Sequence, residues 1–182
     1  EASGFRVRMT PSDCLTGTDR VWEAVKDLDF RLVVNVQGDE PLVEADDILD
    51  VVAASQRLPG HVVNAMCRIE SEADILSRNV PKVVTNGQGR MIYMSRAPVP
   101  GSKNGIEGES FFRQVCIYAF NRDQLEAFSR LGVRSALESR EDIEVLRFLD
   151  LGIPVTMVEV SEQSVAVDVP EDVGRVEALL ST

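Results

Sequence analysis

Cysteine and histidine are scarce in this chain, and their scarcity argues against several kinds of site. The three cysteines, Cys14, Cys67 and Cys116, show no Cys-x-x-Cys spacing, which argues against a disulfide framework or a zinc site and favours a reducing cytoplasm. The single histidine, His61, makes a histidine-based metal site or a Ser-His-Asp triad an unpromising reading. We therefore expect a cytoplasmic protein whose chemistry does not depend on thiols or imidazoles.

Basic residues and long apolar runs are also in short supply. The chain has 19 Lys and Arg against 30 Asp and Glu, a net charge of −11, so no basic stripe is present to meet the phosphates of a nucleic acid. A single nucleotide remains compatible with this charge when carboxylates carry Mg²⁺ and a few basic residues line the pocket. No stretch approaches the ~20 apolar residues of a membrane span, and no secretion leader is recognised. With 182 residues and 44% hydrophobic residues, we expect one globular domain over residues 1–182.

Strand-like and helix-like segments alternate along the chain, which predicts an α/β fold with a mainly parallel sheet flanked by helices. A β-hairpin excursion is predicted around Asn86-Gly87-Gln88-Gly89. The predicted strands cover residues 5–9, 32–37, 62–69, 82–85, 91–95, 112–120, 155–160 and 164–167. The predicted helical segments cover residues 19–28, 71–76, 122–131, 141–151 and 170–180, with a further helix after Asp46 and Asp47. Residues 97–108 are rich in Pro and Gly and are predicted to form a loop.

The most informative segment is Leu32-Val33-Val34-Asn35-Val36-Gln37-Gly38-Asp39-Glu40-Pro41. Its apolar start predicts a strand buried on both faces, as in a parallel sheet. Open α/β sheets bind ligands at the carboxyl ends of their strands. We therefore interpret Asp39 as a Mg²⁺ ligand with Gln37 as a neighbouring substrate-binding residue; the alternative is an acidic tight turn.

A second carboxylate, Asp168, follows another apolar segment and directly precedes a helix. Asp168 could be the N-cap of that helix, with Glu171 completing a capping box. The alternative is that Asp39 and Asp168 hold one hard cation between them, because two strand-end carboxylates suit such an ion.

Three further groups of residues carry both a functional and a structural interpretation. Thr16-Gly17-Thr18-Asp19-Arg20 precedes a helix and could offer backbone N–H groups to a base or phosphate, or Thr18 could be an ordinary N-cap. Arg96 follows an apolar strand and needs either an anionic ligand or an internal ion pair. The i, i+3 spacing places Glu138, Glu141 and Glu144 on one face if the segment is helical throughout, and that face contacts either substrate or solvent.

Four of these landmarks occur in the order found in one enzyme family. The chain resembles the 3-deoxy-manno-octulosonate (Kdo) cytidylyltransferases, also called CMP-Kdo synthetases, over essentially its whole length. The landmarks are Thr16-Gly17-Thr18-Asp19-Arg20, Gln37-Gly38-Asp39-Glu40-Pro41, Tyr93-Met94-Ser95-Arg96 and Val167-Asp168-Val169-Pro170-Glu171-Asp172.

The resemblance implies an α/β nucleotidyltransferase (Rossmann-like) fold whose hairpin region contributes to a homodimer. It implies that CTP and Kdo react to give CMP-Kdo and pyrophosphate, for lipopolysaccharide biosynthesis. Asp39, Asp168 and Arg96 are implied as catalytic residues, with Asp39 and Asp168 holding Mg²⁺. The implied ligand-binding residues are Thr16, Gly17, Thr18 and Arg20 for the nucleotide, and Gln37, Gln114, Tyr118, Glu138 and Glu141 for the sugar.

Two departures from the family pattern keep other functions open. The family's amino-terminal strand and basic triphosphate-binding loop have no counterpart here, so the resemblance predicts a chain truncated at its N terminus and leaves open whether it is active alone. Gln114 stands where the family usually has His, which raises the prospect of a different acidic sugar. A non-catalytic nucleotide- or sugar-binding module is the third interpretation.

Overall fold

A computed structural model describes residues 4–101, 103, 105, 110–161, 166, 167 and 170–180 of the chain. Within these residues the strands are β1 (Val33–Val36), β2 (Val62–Ile69), β3 (Lys82–Thr85), β4 (Met91–Ser95), β5 (Phe111–Phe120) and β6 (Val155–Glu159). The helices are α1 (Gly17–Val25), α2 (Ala45–Arg57), α3 (Glu72–Leu76), α4 (Arg122–Arg130), α5 (Ala136–Glu141), α6 (Leu146–Asp150) and α7 (Pro170–Leu180).

The strands form one mixed sheet in the order β4-β3-β5-β2-β6, with β1 paired to β5. The α/β prediction is confirmed, but the share of parallel pairing is smaller than predicted. Among the described strands only β2 and β6 pair in parallel, because β5 runs opposite to its three neighbours β1, β2 and β3.

Two apolar layers, one on each face of the sheet, form most of the core. One layer contains Phe120 of β5, Phe128 of α4 and Phe148 of α6, with Trp22 of α1 packed against it. The other packs Val51 and Ala54 of α2 against Val63 and other sheet residues. β2 is buried on both faces except at Arg68. The sequence predicted this double burial for the strand at 32–37, yet β1 is only half-buried and pairs antiparallel with β5.

Local signals predicted several element boundaries correctly. The predicted strand at 62–69 and helix at 170–180 match β2 and α7, and Asn86 turns β3 into β4 by accepting the N–H groups of Gln88 and Arg90. Ser71 is the N-cap of α3, with its side chain accepting the N–H of Asp74. Gly152, at φ +70°, ends α6 in a Schellman motif, since its N–H donates to Leu149 O and that of Ile153 to Phe148 O.

Residues 5–9 are not a strand. Their alternating apolar side chains, Phe5, Val7 and Met9, are 76%, 60% and 89% exposed, because no described strand pairs with them. The segment is held instead by Arg8, which donates to Ala24 O of α1.

The predicted helix at 141–151 is also wrong. α5 ends at Glu141, Asp142 takes a left-handed conformation at φ 54°, and α6 begins at Leu146. Glu138, Glu141 and Glu144 therefore do not share one helical face.

α1 begins two residues earlier than predicted, and Thr16 rather than Thr18 is its N-cap, with Oγ1 accepting the Asp19 N–H. At its other end, Arg122 of α4 donates to Lys26 O and lies over the rings of Trp22 and Phe30. This contact anchors the C-terminal end of α1 to α4. Residues 164 and 165 of the predicted strand at 164–167 and part of the predicted loop at 97–108 lie outside the described residues, and residues 166 and 167 are described but are not in a strand.

Candidate active site

A cavity of about 880 Å³ opens where β1 ends and β3 begins along the same edge of β5. The N–H of Gln37 donates to Cys116 O at the end of β1, and the N–H of Gln114 donates to Pro81 O ahead of β3. Open α/β sheets place their ligand sites outside the carboxyl ends of their strands, and Gln37 and Asp39, which follow the carboxyl end of β1, line this cavity. The lining includes Thr16, Gly17, Gln37, Asp39, Glu40, Arg96, Gln114, Cys116, Tyr118, Glu138, Glu141, Glu144, Ala166 and Asp172.

Asp39 has a buried carboxylate oxygen with no protein partner. Its Oδ1 meets no hydrogen-bond donor among the described residues, although a buried charged oxygen without a partner is costly. The Asp39 carbonyl accepts the N–H of Val167 at 2.8 Å, so Asp39 adjoins the segment in which Asp168 follows. Asp168 itself lies outside the described residues.

No group of three or more His, Cys, Asp or Glu side chains within the described ranges is arranged to hold a metal ion. The carboxylate of Asp39 is thus the described part of the predicted pair. An oxygen that is buried, negatively charged and unpaired fits a hard cation.

Glu144 joins the start of α1 to the end of β1. One of its carboxylate oxygens accepts the N–H of Thr18 and the other accepts Nε2 of Gln37, both at 3.0 Å. Burial raises the pKa of Glu144, although these hydrogen bonds act in the opposite direction. Glu144 thereby fixes Gln37 beside the Thr16–Gly17 turn on the cavity wall.

β5 bulges at Cys116 and Ile117, opposite the junction between Asn64 and Ala65 of β2. The backbone groups released by the bulge are satisfied by side chains. Glu40 Oε1 accepts the Cys116 N–H at 3.1 Å, and Asn64 Nδ2 donates to Val115 O and Ile117 O at 2.9 Å each. The bulge bends β5 beside the cavity, so the two buried polar residues shape its wall.

Arg96 is committed to the protein backbone. Its guanidinium donates to the carbonyl oxygens of Glu141, Asp142, Arg78 and Asn79. The buried Lys82 ammonium in turn donates hydrogen bonds to the backbone carbonyl oxygens of Arg96, Ser77 and Val80. Arg96 lines the cavity, but most of its hydrogen-bonding capacity is used within the protein.

Glu141 accepts hydrogen bonds from the Tyr93 hydroxyl, the Ser95 hydroxyl and the Arg96 N–H. Burial alone would raise the pKa of Glu141, but the hydrogen bonds and the nearby Arg140 outweigh it and lower that pKa. Glu141 therefore ties α5 to the end of β4.

A buried ion triad supports the cavity from behind. The Arg147 guanidinium is fully buried, pairs with Glu138 at 2.6 Å and Asp19 at 3.0 Å, and lies 3.7 Å from the Phe128 ring centroid. The triad connects α6 to α5 and to the first turn of α1. Glu138 lines the cavity, but its carboxylate oxygens already accept hydrogen bonds from the Arg147 guanidinium and the Ser135 N–H.

The structure brings most of the sequence-predicted residues to one cavity, with two exceptions among those described. Thr18 is buried behind the wall, and the Arg20 side chain donates to Thr10 and Pro11 away from the cavity.

Glu40 and Asn64 were not identified from the sequence as residues of this site. A polar Asn within the apolar run of β2 was the available signal, since a buried amide requires partners.

Comparison with known proteins identifies the family of this chain. A family model described as Cytidylyltransferase matches residues 1–155. The 3-deoxy-manno-octulosonate cytidylyltransferase of Solibacter usitatus is 40% identical over 97% of this chain and 70% of its own length. This chain belongs to that family. A second member, from Geobacter metallireducens, is 39% identical over 99% of this chain and 75% of its own length.

Solved structures agree with the 3-deoxy-manno-octulosonate cytidylyltransferase assignment. A CMP:2-keto-3-deoxy-manno-octonic acid synthetase complexed with CTP superposes with a TM-score of 0.89 at 32% identity, covering 99% of this chain and 74% of that one. A 4-diphosphocytidyl-2C-methyl-D-erythritol synthase from Anaerococcus prevotii superposes at 0.59 with 15% identity, over 92% of this chain and 67% of that one; this likeness shows the fold alone. The chain is a nucleotidyltransferase of the cytidylyltransferase kind.

Proposed function

We propose that this chain transfers CMP from CTP to the sugar acid 3-deoxy-manno-octulosonate and releases pyrophosphate, a step that supplies lipopolysaccharide synthesis. One observation carries the proposal: members of all four sequence landmarks line one cavity. Thr16, Gln37, Arg96 and Asp172 represent the four landmarks there. The names of the family's members support CTP and Kdo as the substrates.

In the proposed reaction the anomeric hydroxyl oxygen of the sugar bonds to the α-phosphorus of CTP. The bond from that phosphorus to the oxygen of the leaving pyrophosphate breaks, and the hydroxyl proton passes to solvent water. Such transfers depend on positioning and charge neutralisation rather than on a covalent enzyme intermediate. Thr16 and Gly17 would face the nucleotide, while Gln37, Gln114 and Tyr118 would face the sugar, with Glu144 holding Gln37 in place.

We also propose that Asp39 and Asp168 hold a divalent cation, Mg²⁺ being the ion expected for carboxylate and phosphate ligands. The unpaired buried Oδ1 of Asp39 supports this assignment. When bound there, the ion would offset negative charge on the reacting phosphate.

The test is pyrophosphate release from CTP, Mg²⁺ and Kdo. Because the chain spans 70% of its Solibacter relative, the assay is run on the 182-residue chain and on a version extended with that relative's amino-terminal segment. Release that requires Kdo supports the proposal. Binding of CTP or Kdo without release from either protein would instead identify a binding module.

A transferase for another acidic sugar is the second candidate. Gln114 favours it, because it stands where the family usually has His, and a neutral amide at the cavity wall makes a different contact with a sugar acid from that of a side chain that can be charged. In the same assay, release with another 2-keto sugar acid at a clearly higher kcat/KM than with Kdo would establish this candidate.

We propose a cytoplasmic homodimer as the working state. The three described cysteines are free thiols, as expected in a reducing compartment, and no described helix is both long and apolar enough to span a membrane. β4 is an edge strand among the described strands, and Ile92 on it is 58% exposed. An exposed edge with an apolar side chain is a surface that a second copy could cover.

A further inference from the structure

The Asn64 amide has only one orientation that its surroundings accept. Asn64 is completely buried, and its Nδ2 gives both hydrogens to the carbonyl oxygens of Val115 and Ile117, each at 2.9 Å. Rotating the amide by half a turn would place Oδ1 against two carbonyl oxygens. Backbone carbonyls are acceptors only, so the β5 bulge fixes Asn64 with its Oδ1 facing away from those carbonyls.

The orientation of Asn64 determines the orientation of Gln114. Gln114 Nε2 donates to Asn64 Oδ1 at 2.9 Å, and the reverse orientation would bring two amide oxygens together. The Gln114 backbone is itself held by its N–H, which donates to Pro81 O. The Gln114 amide is therefore oriented by a chain of contacts that begins at the backbone of β5.

What remains of the Gln114 amide is its oxygen, Oε1, and one hydrogen on Nε2. None of the described residues donates to Oε1, and Gln114 lines the cavity together with Gln37 and Tyr118. A hydroxyl can both donate to Oε1 and accept from Nε2, whereas an ionised carboxylate has no hydrogen to offer an amide oxygen.

We infer that Asn64 is a positioning residue that aims the Gln114 oxygen at the cavity, and that Gln114 selects a hydroxyl of the sugar rather than its carboxylate. The inference rests on the proposed function for the identity of the sugar. It adds a residue outside the sequence landmarks and specifies which chemical group Gln114 recognises.

The experiment uses Kdo analogues in which each hydroxyl other than the reacting anomeric hydroxyl is replaced in turn by hydrogen and by fluorine. Fluorine accepts a hydrogen bond weakly but cannot donate one. We expect one position at which both replacements lower kcat/KM about tenfold, as for the loss of one hydrogen bond, with the KM for CTP unchanged. A fluorine analogue as good as Kdo at every position would overturn the inference.

Variants of Gln114 and Asn64 test whether these two residues cause the preference for Kdo over the analogue. Gln114→Met keeps the length of the side chain and removes its polar atoms, so it should reduce the Kdo-to-analogue ratio to about one. Gln56→Met, at an exposed position on α2, is the matched control and should retain the full ratio. A ratio unchanged in Gln114→Met would assign the preference to another residue and refute the inference.

Asn64→Ala should also remove the analogue preference, whereas a purely structural role for Asn64 would lower stability and leave the ratio intact. If Asn64→Ala fails to fold, the Gln114→Met arm still decides the question. Calorimetric dissociation constants for the same analogues decide it if no pyrophosphate is released. Absence of release with Kdo therefore tests the proposed function, and the binding ratios test the inference.

Discussion

Asp39 is a residue whose position in the fold lowers stability but leaves a carboxylate oxygen available to a ligand. Its Oδ1 is buried without a donor among the described residues, whereas the buried carboxylates of Asp19 and Glu138 are paired with Arg147. Protein interiors rarely leave a charged oxygen unpaired. This contrast distinguishes a carboxylate available to a ligand from carboxylates that hold the fold together.

Replacing Asp39 with Asn tests that distinction. We predict that Asp39→Asn lowers turnover by on the order of 100-fold or more, because the amide has the same shape but no negative charge. The free energy of unfolding without metal should stay level or rise, since an unpaired buried charge is removed. Asp50→Asn, on the exposed side of α2, should change neither quantity; normal turnover by Asp39→Asn would contradict the site assignment.

Glu141 allows a pH prediction with a defined sign. Its pKa is lowered from the ordinary 4.5, so the folded protein binds this proton more weakly than the unfolded chain does. Its contribution to stability is therefore present above pH 4.5 and is lost as the pH falls through the lowered pKa.

We predict that Glu141→Gln reduces the free energy of unfolding at pH 7 by about 1 to 2 kcal/mol and makes the fall of that free energy in acid less steep. The measurement is urea denaturation between pH 3 and 7, and a variant whose acid decline stays as steep as wild type would exclude this role; Glu159→Gln, at an exposed position, is the control.

At the scale of elements, the segment from α5 to α6 shows where local sequence patterns stop being informative. The sequence predicted a helix at 141–151, but Glu141 accepts hydrogen bonds from Ser95 at the end of β4 and from the N–H of Arg96 just after it. Asp142 then turns the backbone into the left-handed region. These partners are more than 40 residues away in sequence, at separations of 46 and 45, so no local periodicity could reveal them.

Where partners are local, the sequence sufficed. The turn at Asn86, the cap at Ser71 and the Gly152 stop all depend on neighbours within a few residues, and all three were predictable. Asp39 could be identified as a candidate ligand from the sequence because a strand end and its polar turn are adjacent in sequence. The Asn64–Gln114 contact joins residues 50 positions apart and requires the fold.

The Arg147 triad is an element-level device because it joins α1, α5 and α6. We predict that Arg147→Met destabilises the protein by about 3 to 5 kcal/mol, since two buried carboxylates lose their partner. Adding Asp19→Asn and Glu138→Gln to that variant should restore much of the loss, because the uncompensated charges are gone. Thermal and urea unfolding measure both effects; a single variant as stable as wild type would show that the triad contributes no net stabilisation.

For the whole molecule, the position of β4 at the sheet edge bears on whether two copies of the chain associate. We predict that Ile92→Lys raises the dimer dissociation constant at least about tenfold, because it places a charge on the exposed apolar strand that the proposed partner covers. Leu49→Lys, equally exposed on α2, is the matched control and should have no effect. Sedimentation equilibrium decides the point, and a wild-type protein that is monomeric at micromolar concentration would refute the dimer.

The contact between Arg122 and Trp22 also provides an optical probe. Trp22 is the only tryptophan of the chain, and it lies on the helix whose first residue, Gly17, lines the cavity. Indole emission responds to charge near the ring, and the Arg122 guanidinium lies 6.0 Å from the Trp22 ring centroid. The indole fluorescence of the unlabelled protein, excited at wavelengths that tyrosine does not absorb, therefore comes from one known helix. A change in its emission wavelength on adding CTP would report a change in the contact between α1 and α4.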